Sequence, residues 1–254
     1  MSRGAACRLS SMNRAGLHDV MAGHVERGVA PGLVSVVSRQ GEADIDVIGR
    51  SAVGGPPMRR DSIFRISSMT KPVTAVATMI LLEECVVRLD EPVDRLLPEL
   101  ADRRVVRRID GPVDDTVPAV RPITVEDVLT FRLGWGIIFT EDPLPILKAT
   151  ADLPGFGMPD PRSPLTPDAW MARLGALPLM AQPGERWMYT AGANVLGVLV
   201  ARAAGQPLDV VFQERILGPL GMVDTGFGLA ESERDRLAAI YVPGHDRKAV
   251  RFDP

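Results

Sequence analysis

Lysine is almost missing from this chain, whose 254 residues contain three, against 26 arginines. Cysteine is as scarce: Cys7 and Cys85 are the only two, so no disulfide framework and no cysteine-rich zinc module is implied. The three histidines are His18, His24 and His245. None stands beside a serine placed as a nucleophile, and there is no Gly-x-Ser-x-Gly elbow, which argues against a Ser-His-Asp hydrolase. No grouping of cysteine, histidine and carboxylate has metal-ligand spacing, so no metal is expected. Gly226-Phe227-Gly228 lacks the third glycine of a nucleotide-binding turn, and no cofactor is expected. No window approaches roughly 18 uninterrupted apolar residues. The opening Met1-Ser2-Arg3-Gly4-Ala5-Ala6-Cys7-Arg8 lacks the apolar run of an export signal. The expectation is a soluble, cytoplasmic protein without a membrane partner. Net charge is −3, and Arg103, Arg104, Arg107 and Arg108 sit beside Asp102 and Asp110, a pattern read as a solvated surface turn rather than a nucleic-acid patch.

What is present is Ser68-Met69-Thr70-Lys71, at the head of the most helix-like apolar segment in the chain. With 11 serines and three lysines, chance placement gives roughly 0.1 Ser-x-x-Lys matches, against about one at average composition. The motif is therefore informative here. Residues i and i+3 of a helix share a face, so Lys71 can reach Ser68. Ser67 is expected to cap the helix, Pro72 is tolerated in its first turn, and Val73, Val76, Ala77, Ile80 and Leu81 recur at helical spacing as a buried face. Unpaired N–H groups at a helix start favour an oxyanion beside Ser68, and a nearby lysine can take up the serine proton. On spacing alone, an N-capping serine followed by a surface lysine is an equal alternative.

Around this motif, residues 12–27 read as an amphipathic helix, and 33–38 with 43–49 as a β-hairpin turning at Arg39-Gln40-Gly41-Glu42. Residues 87–98 read as a short helix between turns. Thr124 and Asp127 have capping-box spacing. Residues 142–184 read as an irregular excursion around a short helix at 167–174, and 193–202 and 208–217 as buried helices. Trp135, Trp170 and Trp187 are read chiefly as core residues.

Several blocks in order carry a resemblance. They are Phe64-Arg65-Ile66-Ser67-Ser68-Met69-Thr70-Lys71-Pro72, Leu89-Asp90-Glu91-Pro92-Val93 and Ile123-Thr124-Val125-Glu126-Asp127-Val128-Leu129-Thr130-Phe131. Gln182-Pro183-Gly184-Glu185-Arg186-Trp187-Met188-Tyr189-Thr190 and Gly218-Pro219-Leu220-Gly221-Met222-Val223-Asp224-Thr225 follow. Over about residues 12–243 the chain resembles the serine β-lactamase-related family, which includes class C β-lactamases, DD-peptidases and related esterases. The resemblance implies an α/β (α+β) fold of β-lactamase/transpeptidase type, an antiparallel sheet lobe beside a mostly helical lobe. On this reading residues 1–61 supply the helix and hairpin of the sheet lobe, 62–243 the helical lobe, and 244–254 the start of a C-terminal part. It implies Ser68 as nucleophile, Lys71 as its activator and Tyr189 as a proton relay, acting through an acyl-enzyme on a small-molecule ester or amide.

Two departures qualify that implication. Ala191 stands where the family's Tyr-x-Asn motif has asparagine, which favours esters over β-lactams; Asn194 lies one turn further on. The family's third motif, a Lys-Thr-Gly or a variant on a later strand, has no match in Gly244-His245-Asp246-Arg247-Lys248-Ala249-Val250-Arg251. The expectation is an incomplete sheet and a half-built oxyanion hole, with a piece of a longer protein, a shortened gene and strand addition by another chain left open. A homo-oligomer covering the sheet edge is expected. A weakly active or inactive relative that binds a ligand or partner is the alternative function.

Overall fold

The computed structural model describes residues 11–140, 144–151, 153, 154, 165–243 and 249–252. In chain order the elements are α1 (Ser11–Glu26), β1 (Gly32–Arg39), β2 (Glu42–Gly49), α2 (Thr70–Glu83), β3 (Arg104–Val106), β4 (Thr116–Pro118), α3 (Val125–Leu129), α4 (Pro145–Ala149), α5 (Pro167–Gly175), α6 (Ala191–Ala204), α7 (Leu208–Phe212), β5 (Tyr241–Pro243) and β6 (Ala249–Arg251). They fall into two compact units, residues up to 65 with 228–253, and residues 66–227.

In the first unit, β1 and β2 form an antiparallel hairpin in register from Gly32 opposite Gly49 to Arg39 opposite Glu42. Gln40 and Gly41 both have positive φ, the backbone of a two-residue turn whose twist suits a hairpin. Helix α1 lies against β2, and His18 Nδ1 is 2.8 Å from Asp46 Oδ2. The later segment joins this unit through backbone bonds, Ile63 N–H to Arg236 O at 2.8 Å and Ala238 N–H to Ile63 O at 2.9 Å. Strands β5 and β6 pair antiparallel.

The second unit holds the main core. Leu97, Leu100, Ile123, Leu133, Trp135, Met171, Leu174 and Leu199 are fully buried in one contiguous cluster. Helices α2 and α6 pack on each other, and α3 packs on α6. Close packing of α6 follows from its sequence, because Ala191, Gly192 and Gly197 put little bulk on its buried side. The capping box at α3 is formed as expected: Asp127 N–H donates to Thr124 Oγ1 at 3.3 Å, and Thr124 N–H donates to Asp127 Oδ2 at 2.9 Å. Arg121 adds a two-pronged bond to the same carboxylate, at 2.5 and 2.9 Å.

Four local expectations change. Ser67 does not cap α2 with its side chain; it takes positive φ (43°) and opens a 3-10 turn, Ser67–Met69, that leads into the helix. The buried face of α2 runs through Thr74, Ala77, Thr78 and Leu81, while Val76 is 47% exposed. Residues 87–98 contain the 3-10 turn Val93–Arg95, followed by another at Pro98–Leu100, in place of a short helix. The arginine-rich stretch is partly a strand, β3, and Arg103 turns inward to donate to the carbonyls of Gly175 and Leu177. Helix α5 matches the short helix expected within the 142–184 excursion and α4 is additional; residues 142, 143, 152 and 155–164 of that excursion lie outside the described residues, as do Gly244 to Lys248.

Candidate active site

Ser68 sits in the 3-10 turn before α2, and its N–H precedes the first bond of that turn, which Met69 N–H donates to Ile66 O at 2.9 Å. That leaves the Ser68 N–H for a ligand oxygen. Ser67, immediately before it, holds a backbone conformation unfavourable for a residue with a Cβ, at about 1 kcal/mol or more. Such strain fixes the direction in which the next side chain leaves the chain.

Lys71 Nζ donates to Ser68 Oγ at 3.0 Å, and Ser68 Oγ lies 2.7 Å from Tyr189 Oη. The two hydroxyls can donate in either direction. Lys71 Nζ also stands 4.7 Å from the centroid of the Tyr189 ring. Among the described residues no carboxylate forms a salt bridge with Lys71, so its field acts on the serine and the phenol. The Tyr189 phenol is held below its ordinary pKa by the hydrogen bond with Ser68 first and then by the hydrogen bond with Lys71, while burial opposes them and the charge of Lys71 adds a lesser lowering. The three side chains singled out in the sequence are therefore brought into one hydrogen-bonded group.

Tyr189 is positioned from behind by backbone. Ile137 N–H donates to Tyr189 O, and Met188 N–H donates to Phe131 O at 2.8 Å. Gly136 allows this approach: a Cβ there would lie 2.5 Å from Met188 Cβ and 2.6 Å from Tyr189 O. The turn before the tyrosine is fixed by Gly184 N–H donating to Arg132 O at 2.8 Å, and Arg121, paired with Asp127, packs directly on Gly184. The Asp127 carboxyl is raised by burial, but the hydrogen bonds from Arg121 and Thr124 outweigh this and hold it below the ordinary range.

Asn194 is exposed and makes no hydrogen bond to Ser68 or Lys71, so it does not replace the missing Tyr-x-Asn amide. Two aromatic residues absent from the sequence-based site adjoin it. Phe131 follows the end of α3 in a left-handed conformation (φ 59°), and its ring centroid is 6.2 Å from those of both Tyr189 and Trp187. The Trp187 and Tyr189 centroids are 6.0 Å apart. Trp135 and Trp170 are core residues as expected, whereas Trp187 is 62% exposed. It lies two residues before Tyr189 in the chain, and no local sequence rule places the two rings together.

The model of the family described as Beta-lactamase matches residues 17–253. Protein Rv1367c of Mycobacterium tuberculosis is 40% identical over 231 residues, 90% of this chain and 54% of that protein. Esterase EstB of Burkholderia gladioli is 35% identical over 221 residues, 85% of this chain and 50% of the esterase. The chain thus spans about half the length of the curated relatives it matches. Among solved structures, EstCE1, described as a hydrolase with promiscuous acyltransferase activity, superposes with a TM-score of 0.79 at 26% identity, over 94% of this chain and 59% of that one. These similarities agree with the β-lactamase/transpeptidase-like architecture, helices with small antiparallel sheets.

Proposed function

Because this chain belongs to the beta-lactamase family, we propose that it is a serine hydrolase that cleaves carboxylic esters through an acyl-Ser68 intermediate, with β-lactams and amides as poorer substrates. The observation that carries the reading is the placement of Ser68 Oγ between Lys71 Nζ at 3.0 Å and Tyr189 Oη at 2.7 Å. In the forward step the Ser68 proton passes to the Tyr189 phenolate, which Lys71 stabilises, as Oγ bonds to the ester carbon. The carbonyl oxygen gains the electron pair and faces the Ser68 N–H. Collapse re-forms the carbonyl and breaks the carbon–oxygen bond to the alcohol, whose oxygen takes the proton from Tyr189. Water then repeats the sequence: Tyr189 removes its proton, hydroxide adds to the acyl carbon, and the carboxylic acid leaves as Ser68 Oγ recovers the proton. Ala191 in place of asparagine removes a side-chain amide suited to an amide substrate, which supports the preference for esters.

Acyl transfer to an alcohol is the second reading, favoured by the promiscuous acyltransferase activity named for EstCE1. It needs only that an alcohol occupy the place of water. A third possibility, a ligand-binding relative without turnover, is separated from both by covalent labelling. Intact mass after exposure to a fluorophosphonate, in which Ser68 Oγ displaces fluoride, is expected to show one adduct on the native protein and none on Ser68→Ala, with ester turnover lost in the same variant. Turnover retained in Ser68→Ala, or a folded native protein that takes no adduct, would overturn the proposal.

A further inference from the structure

Resting on the hydrolase reading, we infer that Trp187, supported by Phe131 and Tyr189, forms the subsite for the alcohol half of the ester, and that it selects neutral alcohols bearing an apolar ring. The starting point is the direction of the proton. Tyr189 Oη is the group 2.7 Å from Ser68 Oγ that can hand a proton to the departing oxygen. The alcohol oxygen must therefore come within hydrogen-bond reach of Oη when its bond to the acyl carbon breaks. The carbon skeleton attached to that oxygen then lies on the Tyr189 side of the nucleophile.

On that side the surface is aromatic. Trp187 stands 6.0 Å from Tyr189, and Phe131 stands 6.2 Å from each, centroid to centroid. Phe131 is half-buried, so the indole is the member of the cluster offered to a ligand, at 62% exposure. Aromatic contacts on one side hold it in place, which lowers the ordering entropy a ligand must meet on contact. A flat indole matches a ring better than a branched chain, because offset stacking adds to area burial. The ammonium of Lys71, 4.7 Å from the Tyr189 centroid, opposes a cationic alcohol at the same place and leaves a neutral one favoured.

The experiment compares butyrate esters of ethanol and of 2-naphthalenemethanol, two alcohols of similar acidity, and separately the ethyl esters of acids from acetate to octanoate. Trp187→Ala is expected to lower the ratio of kcat/KM for the naphthylmethyl ester to that for the ethyl ester roughly tenfold, mostly through KM, with the acyl-length profile unchanged. Trp187→Phe is expected to recover most of that ratio. An unchanged ratio, or an altered acyl-length profile, would overturn the assignment. A binding readout separates this from failure of the hydrolase reading. Calorimetric titration of Ser68→Ala with 2-naphthalenemethanol is expected to show binding that Trp187→Ala, added to the same variant, weakens roughly tenfold. Trp187-dependent binding without ester turnover in the native protein would uphold the aromatic subsite and overturn the hydrolase. Turnover with binding indifferent to Trp187 would do the reverse.

Discussion

Ser68 Oγ has one proton to give, and the Tyr189 phenol 2.7 Å away is a group whose acidity the site changes. Tyr189 is held below the ordinary tyrosine pKa of about 10 by Ser68 and then by Lys71. The phenolate is the form that accepts the serine proton, so kcat/KM is expected to rise with pH along a limb whose midpoint lies below that ordinary value. Replacing Lys71 with methionine removes the cation and its hydrogen bond, and the limb is expected to move upward in pH as well as fall in height. Tyr189→Phe removes the limb. Measuring kcat/KM against pH for the three proteins checks this, and a midpoint that stays in place in Lys71→Met would show that the lysine does not act through the phenol. At this scale the sequence was informative where spacing alone decides contact: Ser68 and Lys71 are one helical turn apart, and any helix there brings them together. Tyr189 lies 121 residues away and was reachable only through the family resemblance. Phe131 and Trp187 were not reached, because their meeting depends on a left-handed turn at Phe131 that no local rule assigns to phenylalanine.

The elements that hold Tyr189 are short and irregular, so its position rests on close backbone contacts. Gly136 is where this is most sharply testable. A methyl group there meets Met188 and the Tyr189 carbonyl at distances no carbon tolerates, and the obstruction is largely backbone. Gly136→Ala is expected to displace Tyr189 and lower kcat by about 10- to 100-fold, since misplacement of about 1 Å costs on that order. Fluorophosphonate labelling of Ser68 is expected to slow with it, while circular dichroism keeps the helical signal. Normal turnover in a folded Gly136→Ala protein would mean that the segment can give way without moving the phenol. The capping box at Thr124 was legible because its two hydrogen bonds join residues three apart. The packing of Arg121, bonded to Asp127, against Gly184 was not, since it depends on where a distant turn comes to lie. The inward face of α2 was legible at Ala77 and Leu81, with Val73 and Ile80 packed against the core, but Val76 was misplaced for a different reason. Thr74 and Thr78 bury their hydroxyls by donating to the carbonyls of Thr70 and Thr74, at 3.2 and 3.0 Å, so they pack as small apolar residues while Val76 faces outward.

Across the whole chain, burial is distributed unevenly between the two compact units. The residues of the contiguous core all belong to the 66–227 unit. Among the described residues of the other unit, only Ser51, Met58 and Ala238 are buried, at 9%, 8% and 7% exposure. Hydrophobic burial is the main favourable term in folding, and a two-stranded hairpin with little covering it is marginal by itself. The hydrogen bonds between β1 and β2 are therefore expected to open far more often than those of α6, whose Val195, Leu196, Leu199 and Val200 are fully packed. Hydrogen exchange followed by mass spectrometry would check this directly. Amides of residues 32–49 are expected to exchange on the order of 100-fold faster than those of residues 195–204 at neutral pH, through local opening that leaves the larger unit folded. Equal protection in the two segments would mean that the hairpin opens only with global unfolding. In that case the stability of the 66–227 core reaches the first unit despite its thin interior, and the two units form one cooperative whole.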